Sequence, residues 1–135
     1  MLNDLKNHFE KDSYAKWLGI SIEELDYGYA KVTMNIKDDM VNFHGAANGG
    51  AIFSLADVAF ACASNSYGQT AVGINVTIYY LKAGAVGDRL TAIAKEDFKS
   101  NKVGSYRMEI YNENNDLIAL AEGMVFRKRD DFLNT

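Results

Sequence analysis

The stretch Asn48-Gly49-Gly50-Ala51-Ile52-Phe53-Ser54-Leu55-Ala56-Asp57-Val58-Ala59-Phe60-Ala61-Cys62-Ala63-Ser64-Asn65-Ser66 decides the fold. Alanine and leucine favour helix, Asn48 is a natural N-cap, and Tyr67-Gly68 supplies a stop. The segment is apolar nearly all round, so the helix is expected inside the molecule rather than on its surface. Upstream, residues 3–18 carry Leu5, Phe9, Ala15 and Leu18 at roughly helical spacing and predict one amphipathic helix ending at Gly19. Ile20, Ile22 and Leu25, then Ala30, Val32, Met34 and Ile36, alternate with polar residues as half-buried strands do, with a turn at Tyr27-Gly28-Tyr29. Residues 38–47 read as a loop. Downstream come four strand patterns, at 70–81, 88–98, 105–111 and 117–126. Lys99-Ser100-Asn101-Lys102 and Asn112-Glu113-Asn114-Asn115-Asp116 are hairpin loops between them. One central helix wrapped by a curved antiparallel sheet, an α+β architecture, follows from that order.

The 135 residues are expected to form a single domain, 1–135, with enough interior for a core. Hydrophobic residues make up 48% and charged residues 24%, which excludes a disordered chain. A net charge of −4 disfavours nucleic acid as a partner, because an acidic surface gains nothing from counterion release. The first residues alternate acid and base and lack a signal peptide's apolar core. The most apolar run, 51–63, is too short to cross a membrane and contains Asp57. A single cysteine, Cys62, fits a reducing cytoplasm. His8 and His44 are the only imidazoles, so no metal site and no cofactor are expected.

Between Met40 and Gly87 the chain holds one acid, Asp57, and one base, Lys82. An acid in an apolar helix is costly unless paired, and no cation is near it in sequence. It breaks a local rule, as functional residues do, although capping a neighbouring loop or pointing into solvent would also explain it. Gly49 and Gly50 leave backbone N–H groups bare at the positive end of a helix dipole, where a developing oxyanion could sit. A tight turn against another backbone would place two glycines equally well. Asn42 and His44 lie just upstream and could line the same place, though a lone loop histidine is commonly a surface residue. Gly49 and Asp57 are eight residues apart, about 12 Å along a helix at about 1.5 Å per residue. They cannot easily share a site within one chain, but two copies of the helix antiparallel about a two-fold axis would bring them together.

The stretch from Asn42 to Ser66 resembles the central motif of the PaaI-like hotdog-fold acyl-CoA thioesterases. Asn42, the Gly49-Gly50 pair and Leu-x-Asp at Leu55–Asp57 match the family spacing, and residues 73–90 resemble its following strand and Gly-Asp turn. The resemblance implies a hotdog fold and hydrolysis of an acyl-CoA thioester, of an aryl-acetyl or medium-chain acyl group. It implies Asp57 as general base or nucleophile, and the Gly49 N–H as oxyanion donor to the partner's site. Asn42 would orient water or carbonyl, and Asn75 would help hold the water beside the acid. His44, Asn48 and Gly50 would contact substrate. The implied assembly is a homodimer, and a homotetramer as a dimer of dimers. The family's His before Gly-Gly is Asn48 here, and Ala83 and Val86 stand where prolines are usual.

The chemistry fits what is present. No Gly-x-Ser-x-Gly elbow supports a serine hydrolase. Cys62 reads as a packed small hydrophobe rather than a nucleophile. Lys82, Lys99, Lys102, Arg107, Arg127, Lys128 and Arg129 could meet coenzyme A phosphates, but read first as solvated charges at strand ends. A hotdog hydratase or dehydratase is the enzyme alternative, and a non-catalytic acyl-CoA-binding module the non-enzyme one.

Overall fold

The computed structural model describes residues 1–133. Two short helices, α1 (Leu2–Phe9) and α2 (Ser13–Leu18), lead into strands β1 (Ser21–Asp26) and β2 (Tyr29–Asn35). A one-turn 3₁₀ helix at Asp38–Met40 precedes the long helix α3 (Gly49–Ser64). Strands β3 (Gln69–Tyr80), β4 (Arg89–Lys99), β5 (Val103–Tyr111) and β6 (Leu117–Asp131) follow. The six strands form one antiparallel sheet in the order β1-β2-β4-β5-β6-β3.

The sheet closes around α3 because its inner face is built from small residues. Ala92 and Ala94 of β4, and Ala119 and Ala121 of β6, are fully buried there, and Gly123 continues the row. A side chain at Gly123 would lie 2.8 Å from the Phe60 ring, so glycine is what lets the helix seat. Leu55, Ala56, Ala59 and Ala63 of α3 face this surface together with Val32, Met34, Leu90, Met108, Ile110 and Ile118, all nearly inaccessible. The far end of α3 is tied down by Arg127, which reaches in from β6 to donate to the Ser64 carbonyl at 3.0 Å. Its other nitrogen meets the Tyr106 hydroxyl, and Glu96 completes the group by accepting from Tyr106 at 2.7 Å and Tyr67 at 2.9 Å.

Three expectations change. The single helix over 3–18 is two, because the chain turns at Glu10-Lys11 and Asp12 restarts it, its carboxylate accepting the Ala15 N–H at 3.0 Å. The last strand runs past Phe126 to Asp131, carried by its pairing with β3. Arg127 is not a solvated strand-end cation but is only 2% exposed. Lys82, by contrast, is the exposed charge expected, and it pairs on the surface with Asp116 at 2.7 Å.

The sheet's two margins differ. β3 exposes Val72, Ile74, Tyr79 and Tyr80, each 42–59% accessible. Near one end of its outer edge the Asn65 side-chain amide accepts the Ala71 N–H at 2.9 Å and donates to the Ala71 carbonyl at 3.1 Å. β1 is half as long, is bulged between Ile22 and Glu24, and exposes Glu23, Glu24 and Asp26.

Candidate active site

The start of α3 is held from several directions. Asn48 caps it, its amide oxygen accepting the Gly50 N–H at 2.7 Å. The Asn48 carbonyl accepts the N–H groups of Ala51 and Ile52. Ser54 Oγ donates to the Gly50 carbonyl at 2.8 Å and lies 3.1 Å from the Tyr14 hydroxyl. From β3, the Tyr80 hydroxyl donates to the Gly49 carbonyl at 3.0 Å. Among the described residues nothing accepts the N–H of Gly49 itself. That donor stands at the positive end of a 16-residue helix.

Gly49 lines a cleft of about 370 Å³ with Asn42, Ile52, Tyr80 and Leu81. The structure thus brings Asn42 and Gly49 to one place. The Asn42 amide oxygen is already occupied by the N–H groups of His44 (2.9 Å) and Ala46 (3.1 Å), which folds the loop back on itself. Only its amide nitrogen remains to meet a ligand.

His44 is not brought to this cleft. It is exposed, and its ring lies 4.2 Å from that of the still more exposed Phe43. Gly50 and Asn48 line a second cleft on the other side of the helix start, beside Tyr14 and Trp17. Asn75 is also elsewhere. A bulge between Gly73 and Asn75 resets the alternation of β3, and Asn75 then pairs with the exposed Met124 rather than with inward-facing Gly123 or Val125. It opens onto the outer face of the sheet with Thr77, Asp97 and Glu122. The bulge has no signature in the sequence, so the alternation alone could not reveal this.

Asp57 is likewise not where an all-round apolar helix would bury it. Gly50, Asp57 and Ala61 are exposed along one stripe of α3 with half-buried Phe53 between them, and among the described residues the Asp57 carboxylate has no hydrogen bond or ion pair. The apolar surroundings withhold part of its hydration, and the Asp12 carboxylate adds repulsion, so its pKa is raised above the ordinary aspartate value. Cys62, on the neighbouring flank of α3, is buried, and burial, followed by Asp12, pushes its thiol up to about 12. Such a thiol is inert as a nucleophile at neutral pH. Among the described residues no three of His, Cys, Asp or Glu gather where a metal ion could bind, and no helix is long and apolar enough to cross a membrane.

Tyr80 is the residue that sequence reading missed. Its signal was a Tyr-Tyr pair at the end of a strand, in which one ring must face inward and the other outward.

A curved antiparallel sheet wrapped around one helix defines a hotdog-fold protein, and among the described residues that helix carries a bare N–H at its start and an unpaired acid two turns along. The chain belongs to the thioesterase superfamily, whose sequence profile matches residues 44–119. It is 44% identical over 119 residues to the acyl-coenzyme A thioesterase PaaI of Escherichia coli, covering 88% of this chain and 85% of that protein. The solved structure of the E. coli PaaI protein, from the phenylacetic acid degradation operon, superposes with a TM-score of 0.92 at 40% identity, over 96% of this chain and 97% of that one. The phenylacetic acid degradation protein PaaI from Thermus thermophilus, solved as a mutant, is similar at 37% identity and TM-score 0.84, covering 87% and 100% of the two chains. A Streptococcus mutans protein bound to acetyl-CoA matches at 28% identity and TM-score 0.78, covering 81% of this chain and 88% of that one.

Proposed function

We propose that this protein hydrolyses acyl-CoA thioesters at two composite sites of a homodimer, with aryl-acetyl groups among its substrates. The observation that carries this is the pair of unpartnered groups on α3, the Gly49 N–H and the Asp57 carboxylate. One can receive negative charge developing on a carbonyl oxygen, and the other can take a proton from water. They stand about 12 Å apart at about 1.5 Å per residue, too far to act on one carbonyl. The residue midway between them, Phe53, is half-buried on the same stripe. A two-fold axis there sets Gly49 of one chain against Asp57 of the other. The exposed apolar strand β3, beside that stripe, gives the second copy a surface to cover.

In this reading the thioester carbonyl points at the Gly49 N–H. Water attacks the carbonyl carbon and gives its proton to Asp57. The tetrahedral oxyanion collapses, the C–S bond breaks, and the thiol leaves with that proton. Direct attack by the carboxylate, through an anhydride later opened by water, uses the same two groups. Asn42 lines the same cleft with its amide nitrogen free of the bonds that hold its oxygen. The acetyl-CoA held by the S. mutans relative and the phenylacetic acid operon of the E. coli one support the substrate class. A dimer of dimers and a cytoplasmic location belong to the same reading, the latter supported by the single reduced cysteine.

The test is release of free thiol from a panel of acyl-CoAs that includes phenylacetyl-CoA and straight chains of increasing length. Turnover of any member above the spontaneous rate is the expected result. A folded protein that releases no thiol from the whole panel is not a thioesterase, and enoyl-CoA hydration would then be measured in its place.

A further inference from the structure

We infer that Tyr80 is a positioning residue for the oxyanion donor, acting from the end of β3 on the backbone of Gly49. This rests on the reading of the Gly49 N–H as that donor. Gly49 and Gly50 have no side chains to fix their backbone, and glycine is the residue with most freedom to lose. Gly50 is held at both its groups, by Asn48 at the N–H and Ser54 at the carbonyl. Gly49 has one such tether from outside the helix, the 3.0 Å hydrogen bond from the Tyr80 hydroxyl. The Tyr80 ring also covers the residue: a Cβ at Gly49 would lie 3.3–3.5 Å from it. Any turn of Gly49 that re-aims its N–H therefore breaks a hydrogen bond and moves against an aromatic wall.

In the single chain Tyr80 is 52% exposed, and its hydroxyl goes to the Gly49 carbonyl rather than into the core. Its neighbour Tyr79, 55% exposed, points to the other face of the strand, and among the described residues its hydroxyl makes no hydrogen bond. Of these two tyrosines, Tyr80 reaches Gly49 and Tyr79 faces away from it. An oxyanion donor is useful only if its direction is fixed before charge develops.

The test compares Tyr80→Phe with Tyr79→Phe and with Asp57→Asn, using the acyl-CoA that the wild type turns over fastest. Losing an oxyanion donor outright costs on the order of 10²–10³ in kcat. Losing only its alignment should cost part of that, about tenfold in kcat, with KM within about twofold of wild type. Tyr79→Phe should keep the wild-type kcat. Melting temperature and dimer mass should match wild type in both tyrosine variants. The proposal is overturned if Tyr80→Phe keeps full kcat, if its loss falls on KM alone, if Tyr79→Phe loses as much, or if the loss comes with a lower melting temperature or dissociation. Asp57→Asn tells the two levels apart. If it retains full turnover, the site itself is misplaced and Tyr80 falls with it. If it is inactive while Tyr80→Phe is normal, the site stands and only the role of Tyr80 fails.

Discussion

Asp57 carries the clearest conflict between local stability and use. Its carboxyl is held above the ordinary aspartate pKa by lost hydration first and by Asp12 second. A raised pKa in the folded state means that ionisation weakens the fold. The penalty is absent below the unfolded-state pKa, grows as pH rises through the folded-state value, and is complete above it. Asp57→Asn should therefore be at least as stable as wild type at pH 7, with the difference closing below about pH 4, where both side chains are neutral. Its thioester hydrolysis should fall by at least about 10², the scale of a lost general base. Urea unfolding at several pH values and thiol release measure the two effects. A destabilised but fully active Asp57→Asn would place Asp57 among structural residues. The sequence made this residue stand out through charge isolation alone, because Lys82 is the only other charge between Met40 and Gly87. It could not reveal that the acid lies on an open stripe. An alanine-rich helix looks alike whether the chain or a second copy covers its last face.

At the scale of the element, α3 was legible from composition and from Asn48, and the structure bears out the cap. Asn48 stands where the resemblance leads one to expect histidine, and its side chain is committed to the Gly50 N–H. Asn48→Ala should cost about 1 kcal/mol of stability and leave turnover largely intact. Thermal melts and steady-state kinetics on the same preparation check this. A large loss of turnover with unchanged melting temperature would mean that Asn48 meets substrate. The strands from β4 to β6 were legible from alternation, since one face packs on α3 and the other meets water. β3 was harder to read. Its apolar residues look like a buried strand, yet most are exposed in the single chain. The bulge before Asn75 then moves that side chain to the outer face, a shift that period-two reading cannot foresee.

For the whole molecule, the prediction concerns complementation. If each site takes Gly49 from one chain and Asp57 from the other, two inactive parents should rescue each other. Asp57→Ala removes the acid. Gly49→Val adds bulk where a Cβ already meets the Tyr80 ring at 3.3 Å, which disturbs the donor. In a mixed dimer one site inherits both lesions and the other neither. Random mixing makes about half the dimers mixed, so about a quarter of wild-type activity should return. The chains must be co-expressed with different tags, because a large apolar interface does not readily exchange. Mixed dimers that copurify yet stay as inactive as their parents would show that the sites are not shared. The two margins of the sheet also govern how far such assembly can go. β1 is short, bulged and acidic, the devices by which sheets repel neighbours. β3 is long and apolar, and where it meets Asn65 a side-chain amide already occupies the place of a neighbouring peptide. A chain with one adhesive margin and one guarded margin has a valence of one along the sheet. In the proposed dimer, if two β3 margins meet, neither chain can add a third along the sheet, and the most exposed apolar strand becomes a safeguard against fibres.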